Sequence, residues 1–270
     1  MIDISRIEYS AFDNPIITRS LFYPRPEWDS SLSRSSSETL LIPVEKDVVV
    51  GARFHMADKN AANILFFHGN GEIVADYDDM GTLYTKMGIN FLPVDYRGYG
   101  RSTGKPTVTT MMRDCHVIFD YVKCWLRDKA YAGSFVVMGR SLGSISACEL
   151  ACYYKEEIDG LIIESGLAYA GPLLNLLGIN MEQIGLTEDQ GFRNLEKIGS
   201  FDKSTLIIHA EHDHIISFSE GKRLFEACPA RDKRFLKIRG ANHNDIFIRG
   251  ISEYMEAVKW LVGRSGETRA

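Results

Sequence analysis

From Asn63 onward, short runs of β-branched and aromatic residues alternate with longer stretches whose apolar residues recur at helical spacing. Two of the runs, Ile64-Leu65-Phe66-Phe67 and Phe135-Val136-Val137-Met138, are apolar throughout, so neither face of those strands tolerates water. A strand of that kind needs helices on both sides. Alternation with helices makes its neighbours parallel, because the chain must cross over to begin the next strand.

Strand-type runs cover Thr39–Val44, Val48–His55, Asn63–Phe67, Asn90–Asp95, Phe135–Met138, Leu161–Glu164, Thr205–His209 and Arg234–Ile238. Helical spacing covers Val74–Met87, Val108–Leu126, Leu142–Tyr154 and Ser219–Cys228. The expected architecture is α/β, with a mostly parallel central sheet of about eight strands, helices on both faces, and early runs that fit antiparallel edge strands. A chain of 270 residues with 45% hydrophobic content can bury one substantial core. No shift of composition divides it, so a single domain over residues 1–270 is expected. The serine-rich stretch Ser30–Ser37 buries too little apolar surface to offset its ordering entropy and is expected as an exposed loop.

Several partners are disfavoured by composition. A net charge of -5 argues against a protein that neutralises many phosphates, so no nucleic acid is expected. The charged residues Asp3, Arg6 and Glu8 stand where a signal peptide needs its apolar region, and no run reaches the ~20 apolar residues of a membrane span. The expectation is a cytoplasmic protein without an integral membrane segment, whose oligomeric state the sequence leaves open. Cys115, Cys124, Cys148, Cys152 and Cys228 are odd in number and lack a Cys-x-x-Cys pair, which fits reduced thiols without metal or redox chemistry.

The sequence Gly139-Arg140-Ser141-Leu142-Gly143 stands between a strand-type run and a helical stretch, the setting of a strained turn that exposes a nucleophilic serine. Glycines two residues to either side let backbone and helix approach where a side chain would clash. A serine hydroxyl is a poor nucleophile until a histidine takes its proton, and the histidine needs an acid to fix its tautomer. Asp213 follows the buried run Thr205–His209, where a parallel sheet presents groups at its carboxyl edge. His243 lies in the turn-rich Gly240-Ala241-Asn242-His243 segment after the next helix and strand. Ser141, Asp213 and His243 thus form the candidate nucleophile, acid and base. The backbone N–H groups of Leu142 in the elbow and Asn70 in the His68-Gly69-Asn70-Gly71 strand end are the candidate oxyanion donors. His68 is expected to brace its loop.

These segments, together with Asp95-Tyr96-Arg97-Gly98-Tyr99-Gly100-Arg101-Ser102, resemble the α/β-hydrolase superfamily over about residues 40–260. Within it the chain is similar to small-lid serine hydrolases, a grouping of lipases, thioesterases, carboxylesterases and some peptidases. The resemblance implies a serine triad at Ser141, Asp213 and His243, oxyanion donors at Asn70 and Leu142, and a lid at about residues 166–189. The lid segment carries Leu173, Leu174, Leu176, Leu177, Ile179 and Ile184, which suit either a cover over the site or ordinary core.

Other readings of the same residues are open. Glu164 rivals Asp213 as the orienting acid, or pairs with Arg140 if their strands are neighbours. His209, His212, Asp213 and His214 invite a metal, but their strand-and-loop spacing lacks the helical His-Glu-x-x-His arrangement. Asp76, Asp78 and Asp79 read as the wet face of a helix, and Arg97, Arg101 and Lys105 as structural or rim residues. The expected activity is cleavage of a carboxylic ester or thioester of a small acyl substrate, without cofactor or metal. An amidase or aminopeptidase with the same triad, or a binding protein on a degenerate hydrolase fold, are the alternatives.

Overall fold

The computed structural model of the chain describes residues 3–28 and 37–267. They form two compact units, Met1–Gly133 and Ser134–Ala270. The expected loop at Ser30–Ser37 falls outside the described residues except for Ser37, the first residue of a strand.

In the first unit two short 3-10 turns, Ile4–Arg6 and Ser10–Phe12, precede α1 (Pro15–Leu21), whose start is set by proline in the first turn and by the Asn14 side chain accepting the Ile16 N–H at 2.9 Å. The unit continues through β1 (Ser37–Glu45), β2 (Val48–His55), β3 (Asn63–Phe67), α2 (Asp78–Lys86), β4 (Asn90–Val94) and α3 (Val108–Asp128). Its strands lie in the order β1-β2-β4-β3; β1 and β4 are both antiparallel to β2, while β3 and β4 are parallel. The early runs are thus antiparallel, as their position before the alternation suggests. In α3 the buried residues Val108, Met111, Met112, Cys115, Ile118, Phe119 and Val122 recur every three or four positions, which seats one face of the helix in the core. The ring of Tyr84 in α2 stacks on Phe91 in β4 with centroids 4.5 Å apart.

The second unit contains β5 (Phe135–Arg140), α4 (Gly143–Tyr153), β6 (Gly160–Glu164), α5 (Ala170–Leu176), α6 (Asn194–Ile198), β7 (Ser204–Ala210), α7 (Phe218–Ala227), β8 (Lys233–Ile238), α8 (Ile246–Arg249) and α9 (Ile251–Glu267). The strands lie side by side in chain order and every pairing is parallel. Every residue of β5, β6 and β7 is buried, as the apolar runs require. Across the two units there are eight strands, mostly parallel.

The closing helix α9 is absent from the expected elements, although Tyr254, Ala257, Val258 and Leu261 are buried at helical spacing. The segment 166–189 is broken rather than continuous: α5 ends before Gly178, and Gly178 and Gly185 both have φ above +70°. Leu173, Leu174 and Ile179 are buried while Leu176 and Leu177 are exposed.

Candidate active site

The site begins at the carboxyl end of β5. Ser141 has φ +51°, and its N–H donates to the Glu164 carbonyl of the next strand at 2.9 Å. A non-glycine residue in this region is strained, and the strain persists because the surrounding backbone fixes it. Space at the turn is equally constrained: a Cβ on Gly139 would lie 2.3 Å from the Gly143 carbonyl oxygen and 2.8 Å from the Ala147 Cβ. The Ser144 hydroxyl donates to the Ser141 carbonyl at 2.6 Å and accepts the Leu167 N–H at 3.2 Å, tying the elbow to the start of the 166–189 segment.

His243 Nε2 lies 3.1 Å from Ser141 Oγ, and His243 Nδ1 lies 2.8 Å from Asp213 Oδ2. With Nδ1–H donating to the carboxylate, the Nε2 lone pair faces the serine hydroxyl, the arrangement that removes a proton from Oγ. The second carboxylate oxygen, Asp213 Oδ1, accepts the N–H groups of Ile215 at 3.0 Å and Ile216 at 2.8 Å. Burial pushes the Asp213 carboxyl up, but the His243 hydrogen bond and charge and the Ile216 N–H outweigh it, so the group lies below the usual aspartate value and stays ionised. The three residues singled out in the sequence therefore converge within hydrogen-bond reach.

His209 is buried beneath the acid, with Nε2 2.9 Å from the Ile216 carbonyl oxygen and 3.5 Å from Asp213 Oδ2. Burial drives its imidazole below the ordinary histidine value, leaving a neutral ring that donates from Nε2. The ring fits because residue 221 is glycine: a Cβ there would lie 2.4 Å from His209 Nδ1. The spacing around His209 argues against a metal but does not reveal that the ring supports the acid. Its two companions, His212 and His214, are exposed, and among the described residues no group of three or more His, Cys, Asp or Glu side chains could hold a metal ion.

Glu164 does not approach His243 as a rival acid. Its Oε1 accepts from Arg140 Nη1 at 2.8 Å and its Oε2 accepts the Tyr254 hydroxyl at 2.6 Å. Of the two roles open to Glu164, the structure places it in the pair with Arg140. Tyr254 belongs to the unanticipated helix α9, so its part in the pair was not readable.

The Asn70 segment belongs to the first unit. Asn70 Oδ1 accepts the Tyr23 N–H and the Tyr99 hydroxyl, each at 2.7 Å, which fixes the loop after β3. His68 braces that loop: its Nε2 lies 3.2 Å from Asp95 Oδ1, and its carbonyl accepts the Tyr96 hydroxyl at 2.6 Å. Among the described residues, neither the Asn70 nor the Leu142 main-chain N–H is engaged by an acceptor. Asp78, expected on a wet helix face, instead receives Arg53 Nη1 at 2.6 Å, because β2 carries a buried arginine beneath the start of α2.

Residues 58–184 match the family described as serine aminopeptidase, S33. The chain is 30% identical over 251 residues to alpha/beta hydrolase domain-containing protein 17B of Homo sapiens, covering 89% of this chain and 80% of that protein. It is 27% identical over 245 residues to protein 17C of the same name from Mus musculus, covering 88% and 72%. Among solved structures, an esterase of Pyrococcus furiosus superposes with TM-score 0.71 at 17% identity, over 90% of this chain and 99% of that one. A soluble variant of the monoglyceride lipase of Saccharomyces cerevisiae, in complex with a substrate analogue, gives TM-score 0.65 at 17% identity, over 88% and 98%. At these identities the structures share the fold.

Proposed function

The chain belongs to the α/β-hydrolase superfamily, and from that premise we propose that it cleaves a carboxylic ester or thioester through an acyl-enzyme on Ser141. The observation that carries the reading is the 3.1 Å approach of His243 Nε2 to a serine held at φ +51°, with the same imidazole bonded to an ionised Asp213.

In this mechanism His243 takes the hydroxyl proton as Ser141 Oγ attacks the carbonyl carbon, and Asp213 stabilises the imidazolium that forms. The Leu142 N–H, which follows the nucleophile, is the proposed donor to the tetrahedral oxyanion. Asn70 N–H is the proposed second donor, on the resemblance of its His-Gly strand end to the family pattern. Collapse of the intermediate breaks the bond to the leaving group, which takes the proton from His243. Water then attacks the acyl-enzyme with His243 again as base, releasing the acid and restoring the serine. Base, nucleophile and charge stabilisation are all protein groups, so no cofactor enters the scheme. Five cysteines without a disulfide fit a cytoplasmic site of action, and no helix among the described residues is long and apolar enough to cross a membrane.

A second reading, hydrolysis of an amide or an aminoacyl bond by the same residues, is favoured by the serine aminopeptidase description of the matching family. A fluorophosphonate probe tests the shared chemistry: the wild-type protein should be labelled and Ser141→Ala should not. Equal labelling of both would overturn the nucleophile assignment. A panel of acyl esters, acyl thioesters and amino-acid amides then separates the two readings by kcat/KM.

A further inference from the structure

Arg140 precedes the nucleophile and is the last residue of β5, in register with Glu164 at the end of β6. One arm of its guanidinium, Nη1, donates to Glu164 Oε1 at 2.8 Å; the other, Nη2, donates to the main-chain carbonyl of His243 at 3.1 Å. Both side chains are nearly enclosed, at 10% and 3% exposure, so this is a desolvated ion pair and not a surface contact. The Tyr254 hydroxyl fills the remaining carboxylate oxygen. Glu164 also accepts the Ser141 N–H through its own carbonyl. A single residue of β6 thus holds the nucleophile by its main chain and, through Arg140, the main chain of the base.

We propose that Arg140 is a positioning residue for catalysis: its guanidinium clamps the His243 backbone to Glu164 and so sets the aim of the imidazole at Ser141 Oγ. The inference rests on the proposed roles of Ser141 and His243 as nucleophile and base.

The other hydrogen bonds around His243 explain why such a clamp matters. Asp213 fixes the ring but acts only at its far nitrogen. The Asn242 N–H to Asp245 Oδ1 bond at 2.7 Å and the Asn244 N–H to Asn242 Oδ1 bond at 2.9 Å are local, and hold the loop's shape without tying it to the nucleophile strand. The His212 N–H to Ala241 carbonyl bond at 2.8 Å anchors the loop to the β7 side. Arg140 supplies the tie to β5. An arginine suits the task because its planar, permanently charged fork reaches two acceptors at a fixed angle, which a lysine ammonium does not enforce.

The test compares wild-type protein with Arg140→Lys, Arg140→Ala and Tyr254→Phe. It measures the saturating rate and half-saturation of fluorophosphonate labelling across pH, the melting temperature, and the low-field proton resonance of the His243 Nδ1–H. Misplacing the base by about 1 Å should lower the saturating rate roughly 10- to 100-fold in the arginine variants. Half-saturation should stay within about two-fold, because the probe's binding contacts are untouched. Methylguanidine should restore labelling of Arg140→Ala several-fold, and the His243 resonance should shift or broaden in both arginine variants.

Should the arginine variants fail to fold, Tyr254→Phe removes one hydroxyl from the carboxylate that anchors the clamp. It should slow labelling a few-fold with a matching change in the resonance. Folded variants that label at the wild-type rate, or that lose labelling only in proportion to folded protein while the His243 resonance is unchanged, would overturn the clamp. Absence of labelling in the wild-type protein would instead sink the proposed reaction, and the resonance would still report whether Arg140 positions His243.

Discussion

Asp213 Oδ2 lies 2.8 Å from His243 Nδ1, while Oδ1 of the same carboxylate is held by the N–H groups of Ile215 and Ile216. The carboxylate therefore cannot swing away, and it fixes both the orientation and the tautomer of the base. Asp213→Asn keeps the shape but lets an amide N–H face the ring, which favours the tautomer with the proton on Nε2. We expect kcat to fall by about 10⁴-fold in an ester assay, with the melting temperature changed far less than the rate.

The same carboxylate links stability to pH. Its native pKa is depressed below 3.8, so its ionised form contributes stability that is fully present above the unfolded value and is lost as pH falls through the native one. Urea unfolding of wild-type protein and Asp213→Asn at stepped pH should therefore show a stability difference that is constant near neutrality and narrows below about pH 4.

Gly139→Ala tests the packing of the elbow. The added methyl would sit 2.3 Å from the Gly143 carbonyl oxygen, a backbone atom that can retreat only by moving α4. A loss of about 1–3 kcal/mol in urea unfolding is expected, together with slower labelling of Ser141. A stability equal to that of the wild type would show that the turn yields more easily than its spacing suggests.

The segment after β6 is held by two carboxylates. Glu220 accepts the Ala168 and Tyr169 N–H groups at 3.2 and 3.0 Å, and Glu188 accepts those of Ala170 and Gly171 at 2.9 and 2.5 Å. Glu188→Ala leaves the last two without their acceptor, at the point where α5 begins. Hydrogen exchange of residues 170–177 should quicken in that variant while exchange in β5 and β6 is unchanged.

In the first unit, Arg53 lies between Glu27 at 2.8 Å and Asp78 at 2.6 Å, with the Arg53 and Glu27 side chains each 4% exposed. Arg53→Ala removes the buried partner of Glu27, which keeps only the more exposed Arg101 at 3.2 Å, and a loss of about 1–3 kcal/mol is expected. Replacing both Arg53 and Glu27 by apolar residues should recover much of that loss in thermal unfolding.

The strands were legible because their signal is local. Fully apolar runs such as Phe135–Met138 have few other places to go in a folded chain, and all eight runs are strands, with no end displaced by more than two residues. Two features escaped. Helix α9 has clear spacing but lies past the last motif, and the breaks at Gly178 and Gly185 divide a leucine-rich segment whose spacing alone suggests a longer helix. Asp78 departs from the expected wet helix face because its partner, Arg53, sits 25 residues away on β2.

By itself the sequence determined the alternation of strands and helices, the glycine-flanked turn around Ser141, and the order Ser, Asp, His, because strand periodicity and turn chemistry are written in neighbouring residues. Only the tertiary structure decided which acid meets His243, that Glu164 turns to Arg140 and Tyr254, and that His209 lies beneath Asp213 as a neutral ring. Those outcomes depend on side chains brought together across as many as 90 residues, where burial and the competition for hydrogen-bond partners select one pairing from several that the sequence permits.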